Sequence, residues 1–298
     1  MRSRSILAEC HPAVDFLYFA LVLLFGMTLM HPACLLVSLL GGELCAVRLD
    51  GARGARFALR IALPLLLLAA AANPLFNHAG RTILFYLPSG NPFTLESVLY
   101  GAASGTMLAA VLLWFRAYNA VMTSDKFLCV FGRVIPSLSL LLSMTLRFVP
   151  RFRAQLASIR EAQRCVGQDV DRGTVRKRVR CAVRILSIMT GWALENAVET
   201  ADSMRSRGYG LPGRSTFSLY RFEQRDRALL AWLLFCGGYV LCGCLAGGLS
   251  WQYIPVLRGG TVTPFSVSLL LVYLALCLTP TLLDWKEERT WKSLRSAI

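Results

Sequence analysis

The stretch ENAVETADSMRSRGYG, residues 195–210, has the residue types of a helix that ends at a glycine. It follows an apolar run, and its polar and small residues recur at helical spacing. Arg207 lies at the end of the pattern, where a cation is stabilised by the helix dipole, and Gly208 is the residue type that most often ends a helix. The stretch therefore predicts a stiff helix with an exposed, positively charged end, a shape suited to docking on another molecule.

Two faces run side by side along this predicted helix. One face is made of small residues, which let another helix approach closely, and it contains Ala193, Ala197 and Ala201. The other face is acidic and contains Glu195, Glu199 and Asp202. We expect the alanine face to take part in packing between two helices of this region.

A basic stripe lies on the helix that precedes this one in the chain. Its members recur at helical spacing, and they are Arg153, Arg160 and Arg164. Opposite charges on crossing helices attract each other, so we expect the basic and acidic stripes to face each other.

Composition assigns the chain to the membrane proteins. It has 298 residues, of which 55% are hydrophobic, and its 32 Lys and Arg against 17 Asp and Glu give a net charge of +15. The long apolar runs argue against a soluble protein. Most of the basic residues are arginines, which suit fixed interfaces. Nucleic acid is not the expected partner, because the arginines lie where membrane topology alone would place them.

The apolar runs predict an all-α membrane protein with about six transmembrane helices. The runs are 16–30, 33–47, 57–73, 95–115, 228–249 and 264–283. We expect a kink at Pro64, a helix N-cap at Thr94, and an apolar helix bracketed by Pro136 and Pro150. The helix that ends at Arg207 is expected to start near Val175.

Charge predicts the orientation and the division of the chain. All Lys and Arg residues except Arg81 and Arg258 lie within residues 1–15, 48–60, 116–227 and 284–298. By the positive-inside rule, these groups and both termini are cytoplasmic, in a multi-pass protein of the cell membrane. The predicted domains are N-terminal transmembrane helices, a cytoplasmic helical insert, and C-terminal transmembrane helices with a charged tail, at 1–121, 122–226 and 227–298.

Motifs for catalysis or metal binding are missing from the sequence. It contains no G-x-x-x-x-G-K-[ST] and no H-E-x-x-H, and its ten cysteines show no C-x-x-C spacing. We therefore expect no catalytic residue, no metal site and no cofactor bound by this chain. The small residues between Gly101 and Gly105 are expected to serve helix packing.

Several stretches resemble the transmembrane T component of energy-coupling factor (ECF) transporters, which includes cobalt, nickel and vitamin permease subunits. They are NPLFNHAG at 73–80, FYLPSGNPFTLES at 85–97, TSDKF at 123–127, IPSLSLLLSMTLRFVPRF at 135–152 and the helix ending in Ser206-Arg207-Gly208-Tyr209. The resemblance implies that residues 122–226 form a coupling domain. Two helix ends in such a domain dock on P-loop ATPase subunits, which bind the ATP.

The resemblance maps one docking signature onto each coupling helix. The second signature is Ser206, Arg207 and Gly208, followed by Tyr209. The first is Cys165, Val166 and Gly167, preceded by Arg164. Val166 departs from the arginine that the family pattern has there, so either Arg164 supplies the charge or the contact is mainly apolar.

The implied partners are two ATPase subunits, a separate substrate-binding membrane subunit (the S component) and the lipid bilayer. The S component sets the substrate in this family, so a metal ion, a vitamin or another small molecule remain open. Two alternatives stay beside this interpretation: a self-contained secondary transporter, for which Glu43 is the strongest candidate residue, and an intramembrane enzyme.

Overall fold

The computed structural model describes residues 9–86, 92–132, 136–168, 171, 173–211, 220, 222–260 and 263–296. The chain forms two compact units. The first unit combines residues 1–130 with residues 220–298, and the second consists of residues 131–219. The second unit begins later and ends earlier than the predicted insert, 122–226.

The first unit is built from helices, most of which contain long apolar stretches. They are α1 (Pro12–Thr28), α2 (Pro32–Asp50), α3 (Ala52–Phe57), α4 (Leu63–Phe76), α5 (Leu95–Val121), α6 (Ser124–Gly132), α9 (Gln224–Leu245) and α10 (Pro264–Ser296). Five helical segments are long and apolar enough to cross a membrane, at Pro32–Asp50, Ala52–Phe76, Leu95–Val121, Gln224–Leu245 and Pro264–Ser293, and α1 is a shorter apolar helix. The predicted class, an all-α membrane protein, is confirmed.

The second unit contains two long helices, α7 (Pro136–Cys165) and α8 (Val175–Ser206). The start of α8 at Val175 agrees with the prediction. The prediction that Pro150 ends a helix is wrong, because α7 runs through it. Proline removes one backbone hydrogen bond, but the rings of Phe148 and Phe152 pack edge to face across this position, with 6.2 Å between their centroids, and offset part of that loss.

Repeated His-Pro-Ala sequences start the first two helices. His11 Nδ1 accepts a hydrogen bond from the backbone N–H of Ala13 at 3.2 Å, and His31 Nδ1 accepts one from Ala33 at 3.3 Å. The proline that follows each histidine occupies the first turn, where its missing N–H costs no helical hydrogen bond. The same local chemistry thus begins both helices.

The core of the first unit lies around Trp114 of α5. The indole is fully buried, and its Nε1 donates to the backbone oxygen of Ser38 at 3.1 Å. Gly41 and Gly42 of α2 lie against this ring, and a β-carbon at either position would be only 3.3 Å from it. The hydroxyl of Tyr18 in α1 donates to the backbone oxygen of Cys277 in α10 at 3.3 Å. These contacts join α1, α2, α5 and α10, and each gives a buried ring donor a backbone acceptor.

The helix that contains Pro64 changes its winding where a kink was predicted. A π-helical turn, Ala58–Ala62, separates α3 from α4 immediately before Pro64. Such a wider turn is one known way to accommodate a disturbed hydrogen-bond ladder. Glu43 does not pair with the nearby Arg48, whose guanidinium instead contacts Glu288 of α10 at 3.3 Å.

Two short hairpins complete the first unit. Strands β1 (Ile83–Tyr86) and β2 (Pro92–Thr94) pair antiparallel, as do β3 (Trp251–Gln252) and β4 (Arg258–Gly259). Thr94 occupies the N-cap position of α5, as predicted, but its hydroxyl donates to the Ser97 hydroxyl at 2.9 Å and makes no backbone cap.

Helices α4 and α5 cross closely at Gly101 and Gly105. A β-carbon at Gly101 would lie 2.7 Å from the backbone oxygen of Ala69, and one at Gly105 would lie 2.9 Å from the Cα of Leu66. The predicted packing role of this small-residue segment therefore has a geometric basis, a close backbone approach of the kind found at membrane helix crossings.

We predict that Gly101→Ala lowers the free energy of unfolding by about 1–3 kcal/mol, because the added methyl group overpacks the crossing. Gly238→Ala in α9 is the matched control, since a β-carbon there has open space and alanine favours helices. Thermal unfolding in detergent measures both variants. Equal stability of the two would contradict the close crossing.

Candidate functional site

Helices α7 and α8 pack against each other as an antiparallel pair. Ile159 of α7 forms a buried cluster with Cys181 and Ile185 of α8. Seven residues earlier in α7, the Phe152 ring meets the Trp192 ring of α8 edge to face at 5.3 Å between centroids. The earlier residue of α7, Phe152, thus contacts the later residue of α8, Trp192, so the two helices run in opposite directions.

The end of α7 is closed by a Schellman motif. The N–H of Gln168 donates to the Gln163 oxygen at 2.9 Å, and the N–H of Gly167 donates to the Arg164 oxygen at 2.9 Å. Gly167 has a φ of +76°, which a residue with a side chain rarely adopts. This hydrogen-bond pattern makes Val166 the C-cap residue of α7.

The end of α8 repeats the same motif. The N–H of Tyr209 donates to the Met204 oxygen at 3.0 Å, the N–H of Gly208 donates to the Arg205 oxygen at 3.0 Å, and Gly208 has a φ of +82°. Arg207 is therefore the C-cap residue of α8 and occupies the position that Val166 occupies in α7. The two predicted signatures, Cys165-Val166-Gly167 and Ser206-Arg207-Gly208, are geometrically equivalent.

Both helix ends present their cap side chains to the surroundings. Val166 is 73% exposed, and Cys165, Ser206 and Arg207 are exposed as well. Tyr209, which follows the second end, is 51% exposed. The two ends offer the same backbone shape with different chemistry, one apolar and one cationic.

The antiparallel packing places these two ends far apart. Cys181 Sγ contacts the backbone oxygen of Gln168 at 3.3 Å, so this part of α8 lies beside the end of α7. From Cys181 to Arg207 the helix rises by about 1.5 Å per residue, which separates the ends by about 40 Å. We call the two ends, Cys165–Gly167 and Ser206–Gly208, the α7 tip and the α8 tip.

The structure corrects the predicted pairing of charged stripes. Arg160 and Arg164 contact Asp171 in the connection between the helices, with nitrogen–oxygen distances of 3.3 and 2.8 Å. The antiparallel direction causes this, because Arg160 lies beside the start of α8 rather than beside its acidic half. Within the part of the chain that the structure describes, no ion pair involves Glu195, Glu199 or Asp202. Arg153 is exposed.

The face of α8 that packs on α7 differs from the predicted alanine face by about one residue position. Ala193 is partly buried, whereas Ala197 and Ala201 are exposed. The side chains of α8 that are buried are those of Cys181, Ile185 and Asn196. The alanine face therefore lies beside the face that packs on α7, and the alanines remain open to a partner outside this chain.

The first half of α8 carries a separate exposed apolar stripe. Val179, Val183 and Leu186 are exposed and recur at helical spacing. Together with Ala197 and Ala201 they form what we call the open face of α8. An exposed apolar surface of this extent is typical of a site for another protein or for lipid.

Among the described residues, no group of three or more His, Cys, Asp or Glu side chains has the arrangement of a metal site.

Comparisons with known proteins agree with the resemblance found in the sequence. No family model matches the chain. It is 32% identical over 137 residues to the energy-coupling factor transporter transmembrane protein EcfT of Lactobacillus helveticus, which covers 46% of this chain and 50% of that protein. It is 25% identical over 264 residues to EcfT of Bacillus selenitireducens, covering 82% of this chain and 95% of that protein.

A third relative, EcfT of Listeria innocua, is 29% identical over 159 residues, which covers 48% of this chain and 60% of that protein. In the Lactobacillus and Listeria comparisons the chain therefore matches about half of the relative's length. The resemblance to the T components is confirmed; the roles of the two tips stay predictions.

The geometry of the tips is testable by distance measurement. In a variant without native cysteines, spin labels at Val166→Cys and Tyr209→Cys should be about 40 Å apart, because the antiparallel pair holds the tips at opposite ends. Pulsed electron paramagnetic resonance in membranes reports this distance. A main distance near 20 Å would exclude the antiparallel pair.

Proposed function

We propose that this chain, similar over most of its length to EcfT proteins, is the coupling subunit of an ECF-type importer. It would join two P-loop ATPase subunits to a separate substrate-binding membrane subunit, the S component. The observation that carries the proposal is the pair of equivalent, exposed helix tips about 40 Å apart, which suits two partners that are themselves a pair. ATP is bound by the partners, and this chain transmits motion without catalysing a reaction.

The α8 tip is the stronger docking element. Arg207 is exposed at the C-cap, where its guanidinium adds a fixed positive charge to the helix end. A guanidinium at such a position suits a groove with carboxylates, which it can bind through two hydrogen bonds. The hydrophobic ring of Tyr209 lies next to it in the chain and extends the contact.

The α7 tip docks by apolar contact. Val166 stands where the α8 tip has Arg207, and the nearby Arg164 pairs with Asp171 at 2.8 Å. The charge of Arg164 is thereby partly neutralised, which favours the apolar alternative over a substitute ion pair. Two tips of different chemistry suit two ATPase subunits that differ from each other.

The antiparallel pair of α7 and α8 transmits the movement of the ATPase subunits as a rigid body. Closure of the ATPases on ATP moves the two tips, and the aromatic and apolar contacts between α7 and α8 keep the helices together during that movement. The chain then continues into α6 on one side and α9 on the other, so both membrane-side connections receive the movement.

The open face of α8 is the proposed site for the S component. Ala197 and Ala201 allow a partner helix to approach closely, and Val183 and Leu186 supply apolar surface. The alanine face, which the sequence predicts to pack against a helix, would then pack against a helix of another subunit. The substrate then depends on which S component binds.

The distribution of basic residues supports a cytoplasmic position for the tips and for both termini, in the cell membrane. Only Arg81 and Arg258 among the Lys and Arg residues lie outside the four basic groups. In the described structure they lie beside or within the two hairpins, which would be on the opposite side of the bilayer.

We predict that Arg207→Glu leaves the protein in the membrane and reduces the amount of ATPase that co-purifies with it at least tenfold, since a carboxylate replaces the docking cation; a tenfold change corresponds to about 1.4 kcal/mol. Co-purification from detergent with a tagged chain measures the effect. Arg151→Glu is the matched control, because Arg151 is an exposed arginine of α7 beside the Phe152–Trp192 contact, about midway between the two tips.

Retention of ATPase by Arg207→Glu at the level of Arg151→Glu would contradict the docking role. At the α7 tip, Val166→Asp should weaken binding more than Arg164→Ala does, because the contact is apolar. The reverse order would restore the alternative in which Arg164 supplies the charge.

A further inference from the structure

The chain leaves the first unit through α6 and returns to it just before α9. A cluster of buried charged groups, which we call the junction cluster, lies where these two connections meet the start of α1. Its charged side chains are those of Asp15, Lys126 and Asp226, and their residues are 1%, 3% and 2% exposed. All of them belong to the first unit.

The central contact of the junction cluster is an ion pair between α1 and α6. Lys126 Nζ lies 2.5 Å from Asp15 Oδ2. Removing two charges from water is costly, and their attraction offsets that cost only in good geometry. The other carboxylate oxygen of Asp15 is buried and has no hydrogen-bond partner, so an apolar pair of similar size would serve stability at least as well.

Asp226 attaches the second connection to the same place. Its Oδ1 accepts a hydrogen bond from the backbone N–H of His11 at 3.2 Å, at the N-cap of α1. Its Oδ2 accepts one from the backbone N–H of Glu223 at 3.1 Å, which completes a capping box at the start of α9. One carboxylate thus joins the beginnings of α1 and α9.

The neighbouring Cys10 is also buried, at 1% exposure, so the junction cluster is shielded from water. Burial raises the pKa of its thiol to about 12, and Asp15 is the next cause. Charges in such surroundings interact more strongly than they would in water, and they resist separation.

We propose that Lys126, Asp15 and Asp226 are positioning residues that fix both connections to α1 and so pass the movement of the insert into the membrane helices. This inference rests on the proposed function. A connection held only by apolar contacts could slide as the insert moves, whereas a buried ion pair and two hydrogen bonds to carboxylate oxygens keep one geometry. Without them the ATPases would still dock and hydrolyse ATP, but α1 would no longer move together with the insert.

The test uses the chain purified in complex with its ATPase subunits and S component. In a variant without native cysteines, spin labels at Leu24→Cys in α1 and Leu108→Cys in α5, both exposed in the structure, report movement inside the first unit. Addition of ATP with vanadate should shift this distance when no further residue is changed. Asp15→Asn combined with Lys126→Met should abolish the shift while ATPase co-purification and ATP hydrolysis persist.

The control is Asp50→Asn combined with Arg116→Met, which removes a partly exposed ion pair of 2.7 Å between α2 and α5 that includes none of the junction residues. This control should keep the shift. Asp226→Asn, a smaller change, should reduce the shift, which guards against a double variant that fails to fold; a melting temperature measured for each variant identifies such a failure.

The outcomes separate the two proposals. Failure of the unchanged chain to co-purify with ATPases would overturn the proposed function. Co-purification with an ATP-dependent shift that survives in both the double variant and Asp226→Asn would overturn the positioning role alone. Loss of the shift in the Asp50/Arg116 control to the same extent would also overturn it, because any lost ion pair would then have the same effect.

Discussion

The contact between α7 and α8 determines what the rest of the second unit can do. The edge-to-face packing of Phe152 on Trp192 and the apolar cluster of Ile159, Cys181 and Ile185 fix the two helices in opposite directions. Because helices rise by a constant amount per residue, this choice of direction also fixes the distance between the tips. The proposed grip on two ATPases follows from that distance, and the open face of α8 follows from which side of the helix the contact occupies.

Local signals in the sequence were sufficient for the two ends of α8. The start of α8 at Val175 and its end before Gly208 depend on residues within one turn, whereas the five long apolar spans follow from the composition of much longer runs. Pro150 was misjudged because a proline costs the helix one local hydrogen bond, whereas the contact of Phe152 with Trp192 of α8, which stabilises this part of α7, involves a distant segment.

Contacts between distant segments were harder to predict. The position of the basic stripe suggested the acidic half of α8 as its partner, but the structure supplies Asp171 from a turn that has no periodic pattern. The junction cluster was missed for a related reason. Lys126 lay in a stretch noticed only for its resemblance, and nothing near it in the chain indicates Asp15. Conversely, the equivalence of Val166 and Arg207 came first from the resemblance and then gained a backbone explanation in the paired Schellman motifs.

The difference between the two tips has a consequence for how a complex would be built. One end combines a charge with an aromatic ring, and the other offers a single small aliphatic side chain on the same backbone scaffold. Long-range attraction favours the charged end during the first encounter, while the aliphatic end adds affinity only after contact. Assembly would then have a preferred order, in which the ATPase subunit at the α8 tip binds first and the one at the α7 tip binds second. The chain itself would thus assign each ATPase subunit to its position.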